Sequence, residues 1–175
     1  MQYSDDSGKW YALFVLTGEE DKVKERLQYR FRGSKLKFIL PRRKLREKKQ
    51  GKWEEKVKPV FPGYILANGT IGTEEYYFFK EIPGLLRILK DTSGPLEIGE
   101  QDISVINKLI RNGEIIEPSS ILMESGKIVV VDGPLYGLEG LIESINKRRG
   151  RARVRLNFAG EPRLVDLSIF IIQPV

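Results

Sequence analysis

The first apolar run, Lys9-Trp-Tyr-Ala-Leu-Phe-Val-Leu16, is rich in β-branched and aromatic residues and reads as a buried strand. Thr17 follows where a helix cap belongs, with Glu19, Glu20 and Asp21 suited to the positive end of the dipole. Val23, Leu27 and Phe31 recur at i, i+4 and i+8, and Gly33 stands where that helix should stop. Lys37–Pro41 and Phe61–Ala67 are short apolar segments, the second opened by Pro62-Gly63. Between them Arg42–Lys58 predicts a basic hairpin turning near Gln50-Gly51. A helix over Glu74–Lys80, a turn at Pro83-Gly84, a strand through Leu86–Leu89 and a helix over Gln101–Arg111 complete this half. Ile103, Ile106, Leu109 and Ile110 form the stripe of that last helix. Helices interleaved with an antiparallel sheet predict an α/β sandwich.

The pattern then shortens to period two. Lys127–Val131 enters a turn at Asp132-Gly133-Pro134, Leu138–Ile145 alternates, and Arg151–Phe158 alternates again after a turn at Asn146–Gly150. Arg163–Leu167 and Ile169–Ile172 close the series. Five short strands in so few residues predict a small barrel, because closure removes exposed edges. The intervening stretch Asn112–Glu124 lacks a period and holds Gly, Pro and two Ser. The chain therefore divides into residues 1–111, a linker 112–124, and a β unit 125–175, an α+β protein of two small domains.

Charge sharpens this division. Residues 1–111 carry 22 Lys/Arg against 16 Asp/Glu, the linker carries three Glu and no base, and residues 125–175 carry eight Lys/Arg against five acids. The net charge of +6 favours an anionic partner. Cysteine and histidine are absent, which excludes disulfides, Cys/His zinc sites, thiol nucleophiles and imidazole bases. Adjacent carboxylates such as Glu54-Glu55 and Glu74-Glu75 converge on no nucleophile, and Gly133, Gly137 and Gly140 fit no phosphate-binding loop. The chain reads as a binding protein with no enzymatic activity, metal or cofactor. No apolar run approaches membrane-spanning length, and Met1–Gly8 is polar and acidic, unlike a signal peptide. The expectation is a cytoplasmic monomer without a membrane partner.

Val60-Phe-Pro-Gly-Tyr-Ile-Leu66, Trp10-Tyr11 on the first strand, Ile82-Pro-Gly-Leu-Leu-Arg-Ile-Leu89 and Gly94-Pro-Leu-Glu97 resemble the amino-terminal domain of the NusG family of transcription elongation factors. Gly126-Lys-Ile-Val-Val-Val-Asp-Gly-Pro-Leu-Tyr-Gly-Leu-Glu-Gly140 resembles the family's SH3-like KOW β-barrel. The resemblance implies docking of the first domain on the clamp helices of RNA polymerase and recruitment of another component by the second. Carried onto this chain, polymerase contact would involve Phe61, Pro62, Gly63 and Tyr64 with Trp10 and Tyr11 beside them. The alternative is that these aromatics are core and the Pro-Gly a turn.

Two basic segments stand out. Lys35–Lys58 holds eleven Lys/Arg against three Glu, which suits either a solvated hairpin or non-specific contact with nucleic acid, DNA near the transcription bubble included. Lys147-Arg-Arg-Gly-Arg-Ala-Arg-Val-Arg155 holds six cations in nine positions. Strand alternation places Arg149, Arg151, Arg153 and Arg155 on one face, with Lys147 and Arg148 at the turn. Guanidinium forks suit phosphate and guanine, and Lys127 and Arg163 would extend the patch. This arginine strand is similar to what a specialised branch, the LoaP group of antiterminators, would need to bind an RNA hairpin. The leading expectation is a processive antitermination factor joining polymerase to nascent RNA. The alternative is a general elongation factor whose barrel recruits a protein such as a ribosomal component or termination factor. Unlike the RfaH branch, the β-rich second unit predicts a barrel that does not switch to helices.

Overall fold

The computed structural model describes residues 8–173; of the polar stretch Met1–Gly8, all but Gly8 lies outside the described residues. Strand β1 (Trp10–Val15) lies inside a four-stranded antiparallel sheet of order β2-β5-β1-β6, with β2 at Lys37–Ile39, β5 at Tyr64–Asn68 and β6 at Leu85–Ile88. Alternation on β1 sends Leu13 and Val15 to one face and Ala12 to the other. The first face is covered by α1 (Glu20–Arg30) through Val23 and Leu27, and by α2 (Thr73–Phe79) through Phe79. The second face meets α3 (Glu100–Leu109), which contributes Ile103, Ile106 and Leu109. The sandwich expected from the sequence is present.

The basic hairpin is β3 (Arg42–Lys49) and β4 (Lys52–Pro59), paired throughout and turned at Gln50-Gly51 as expected. Thr17 makes no cap. Glu20 in the first turn instead binds the loops around it: its Oε2 accepts the Gly18 amide at 2.9 Å and its Oε1 accepts the Gly63 amide at 3.0 Å. One buried carboxylate thereby ties the start of α1 to the Pro62-Gly63 turn, where Gly63 sits at φ +83°.

The stretch 112–124 is structured rather than free. Short β9 (Ile115–Ile116) pairs in parallel with Arg42-Arg43, and β10 (Ser119–Glu124) is the first strand of the second unit. Glu114 and Glu117 pair with Lys24 of α1 and Lys44 of the hairpin, at 2.5 and 3.1 Å, so two of the stretch's three acids meet the first unit. The β unit is a curled five-stranded sheet of order β11-β10-β14-β13-β12. Here β11 is Lys127–Asp132, β12 Ile142–Asn146, β13 Arg151–Phe158 and β14 Glu161–Ile172. The two closing strands expected from the sequence are one. Strand β14 pairs with β13 as far as Ser168, then with β10 from Ile169, so it changes neighbour where the sequence suggested a break. Conversely, Leu138–Leu141 is a turn and 3-10 segment, with only Ile142 onward in a strand.

Gly133 shows how tightly this unit closes on itself. It adopts φ +105°, and a methyl there would lie 2.6 Å from the Ser119 Cα. The Ser119 hydroxyl accepts the Leu135 amide at 2.9 Å beside it. Gly133→Ala should therefore destabilise the chain by about 2 kcal/mol or more, through strain and backbone overlap together. Urea unfolding followed by circular dichroism would measure it; an unchanged midpoint would contradict the packing.

Candidate nucleic-acid interface

The two units share a core. Phe61, 3% exposed, stacks on Phe158 with ring centroids 4.2 Å apart and planes 9° apart, and Tyr64 meets Phe158 edge-on at 5.1 Å. Val60, Leu66, Ile98 and the α3 stripe of the first unit are contiguous with Val154, Leu156 and Val165 of the second. Polar ties surround the aromatic contact. Arg43 Nη1 donates to the Asp166 carbonyl at 2.6 Å, and Arg151 Nη2 lies 3.6 Å from Glu47 Oε1. Burial lowers the Arg43 pKa, opposed by Asp166 and reinforced by Arg151.

The residues expected at a polymerase surface fall into this arrangement unevenly. Phe61 and Tyr64 lie under the barrel, Trp10 packs half-buried against the shared core, and Pro62 is exposed. Gly63 is held by Glu20 and by its carbonyl, which accepts the Val15 amide at 2.8 Å. Tyr11 is on the opposite face of the sheet, in the core under the helices.

The arginine strand alternates as expected, with Ala152, Val154, Leu156 and Phe158 buried and Arg153 and Arg155 exposed. Its charges are less available than the sequence suggested. Arg153 Nε pairs with Asp166 at 3.1 Å, Arg155 Nε with Glu143 at 2.5 Å, and Arg151 with Glu47. Each partner comes from a neighbouring strand or from the hairpin, so only the register reveals it. Arg163 leaves the patch altogether: its guanidinium lies 5.0 Å from the Tyr64 ring and 5.3 Å from the Phe158 ring, clamping the aromatic contact. Lys127 is exposed on β11, three strands from β13 in the sheet order.

Lys147, Arg148 and Arg149 have no carboxylate partner among the described residues. Their turn is fixed by the Asn146 side chain, whose Oδ1 accepts the Arg149 amide at 3.0 Å. On one side a cleft of about 390 Å³ is lined by Lys147, Arg149, Arg153 and Asp166. On the other, a larger cleft of about 1020 Å³ runs between this turn and the tip of the β3–β4 hairpin. The sequence offers the basic hairpin only as a separate segment for non-specific contact; nothing in it places Arg46 or Trp53 beside Arg149.

A mixed α/β sandwich is docked on a five-stranded barrel, with one basic cleft on the barrel and a larger one at the seam between the two. Residues 8–107 match the family described as "Transcription termination factor nusG". The chain belongs to the NusG family, whose members are non-enzymatic transcription factors. The transcription termination/antitermination protein NusG of Xylella fastidiosa is 26% identical over 181 residues, covering 94% of this chain and 98% of that protein. The NusG of Rickettsia prowazekii is 28% identical over 167 residues, covering 91% of this chain and 86% of the relative. The solved NusG of Thermotoga maritima, described for its domain interaction, shares the fold at TM-score 0.60 and 22% identity, covering 93% of this chain and 94% of that one. No helix among the described residues is long and apolar enough to cross a membrane.

Glu47 joins the hairpin to the barrel, and its carboxyl is held at about 2, below the usual 4.5, by hydrogen bonds from Lys56 and Lys58 that outweigh burial. A carboxyl depressed on folding stabilises above its unfolded value, and that contribution fades as pH falls from 4.5 through about 2. Glu47→Gln should flatten the stability profile in this acid window and leave its shape above it unchanged. Urea midpoints taken across the window for both proteins would check it, and identical slopes would remove Glu47 from the account.

Proposed function

We propose that this chain is an antitermination factor that engages RNA polymerase through its first domain and nascent RNA, a leader hairpin, through its KOW-like barrel. The observation that carries the RNA reading is the turn Lys147-Arg148-Arg149, which presents three cations without carboxylate partners among the described residues, beside the paired arginines of β13. Support for the polymerase reading comes from the family, whose factors act with RNA polymerase, and from the Phe61–Tyr64 segment that resembles the family's contact surface. Contact centres on the turn and not along the strand, because Arg153 and Arg155 are already neutralised by Asp166 and Glu143. Duplex RNA would be met mainly through phosphate and 2′-hydroxyl groups. Non-specific contact with DNA near the bubble remains a role for the hairpin's lysines.

In the full chain, replacing Arg148 and Arg149 together by Ala should weaken leader-hairpin binding by roughly 10-fold or more and reduce the salt slope by about two. Arg155→Ala should change it little. Equal, weak binding of native and scrambled hairpins would instead favour the general elongation factor whose barrel recruits a protein.

The docked arrangement also constrains polymerase binding. Phe61 and Tyr64 cannot meet the clamp helices while Phe158 covers them, so engagement through these rings requires the barrel to leave. Phe158→Ala, in a chain shown to keep its barrel by circular dichroism, should raise affinity for the clamp helices by roughly 10-fold, because it removes most of a competing aromatic contact. Unchanged affinity would move the polymerase contact off the Phe61–Tyr64 surface.

A further inference from the structure

The larger cleft at the seam holds one feature the RNA-binding turn does not need. Trp53, on β4, is 50% exposed and lines this cleft. Arg46 steadies the indole, its guanidinium 5.1 Å from the Trp53 ring and 5.6 Å from the Phe170 ring of β14. Lys48 lies across the ladder from Trp53. Opposite stand Asn146, Arg148 and Arg149 of the barrel turn. The acid in the wall, Glu47, is committed to Lys56, Lys58 and Arg151 at 2.8, 3.3 and 3.6 Å. Arg46, Lys48, Arg148 and Arg149 lack carboxylate partners among the described residues. A half-exposed indole, with Arg46 over its ring and further uncompensated cations around it, is the combination that holds a base by stacking and its flanking phosphates by charge.

We propose that this cleft is a composite site for an unpaired base of the bound RNA, stacked on Trp53, with the phosphates on either side held by Arg46 and Lys48 from the hairpin and by Arg148 and Arg149 from the barrel. The inference rests on the RNA-binding reading of the turn and adds to it a ligand feature, a residue and a condition. The ligand feature is an extruded or loop nucleotide, since paired bases present no face to an indole. The residue is Trp53, in the domain assigned to polymerase. The condition is docking: the two walls belong to different domains, held together by Arg151–Glu47, Arg43–Asp166 and the Phe61–Phe158 stack. A ligand that touches both walls binds the docked form and stabilises it.

The test uses the full chain carrying Trp10→Phe, so that Trp53 is the remaining tryptophan. Its fluorescence is followed while a hairpin RNA with an unpaired purine loop is added, and in parallel a blunt duplex of the same stem. Quenching by the loop RNA and not by the duplex is expected. Trp53→Leu should weaken binding of the loop RNA by about 10-fold, with Trp53→Phe between the two, and leave duplex binding unchanged. Unquenched emission together with native affinity in Trp53→Leu would overturn the proposal. If Arg148→Ala with Arg149→Ala still weakened binding in that case, the barrel reading would stand without the cleft. If neither RNA bound the native chain, both readings would fall.

Discussion

Phe61 and Phe158 lie face to face, with neither ring reaching solvent and Tyr64 closing against the edge of the pair. An offset or stacked aromatic pair adds only about 0.5–1.5 kcal/mol beyond the area it buries. Its consequence here is larger than that figure, because the pair sits where the cores of two domains become one. With Phe158 in place, the α3 stripe and the inner face of β13 share a hydrophobic boundary. The β3–β4 hairpin is then laid along β14, and its tip comes to the Asn146–Gly150 turn. The seam cleft, the Arg43 and Arg151 ties and the covering of Tyr64 by Arg163 all follow from that one placement.

Electrostatics decides which cations remain for a partner. A row of alternate arginines on a strand looks like a ready phosphate track, and its spacing is right for one. In the folded sheet, neighbouring strands place Asp166 and Glu143 within ion-pair distance of Arg153 and Arg155. Exposed pairs of this kind contribute little to stability, yet they reduce the field a phosphate would feel. The turn escapes because the acids beside it are already committed, Asp166 to Arg153 and Glu47 to Lys56, Lys58 and Arg151. Availability of charge is therefore a property of register, and the effective patch is shorter and nearer the other domain than the count of arginines suggests.

The elements whose signals are local were legible in the sequence. The β1 strand, the hairpin turning at Gln50-Gly51, the α3 stripe and the alternation of β13 all stand where pattern and turn chemistry place them. Strand β10 was hidden in the stretch 112–124, because Ser119 is buried to cap Leu135 and so a polar residue occupies a core position. Strand β14 was read as two, because Ser168 is likewise buried where the strand passes from β13 to β10. Glu20 was taken for a dipole partner, while its main duty is to a turn 43 residues away. Of the site, the cations of the turn and of the hairpin are each visible in the sequence, and their meeting in one cleft is not. Only docking puts Trp53 and Arg46 within reach of Arg149, and docking depends on a phenylalanine that reads as an ordinary strand end.

The same docking sets two partners against each other. A ligand spanning the seam is bound only while Phe158 covers Phe61; a partner that needs Phe61 and Tyr64 is bound only after Phe158 has left. Such ligands are coupled negatively, and the coupling is reciprocal in free energy whichever arrives first. The turn Lys147-Arg148-Arg149 belongs wholly to the barrel, so under the proposed binding mode it would keep its phosphates through the change while Trp53 would give up its base. Capture of RNA by the docked chain and its retention after undocking would then use one turn twice. On that proposal the seam would make the first state more selective, and the exposed turn would let the second persist.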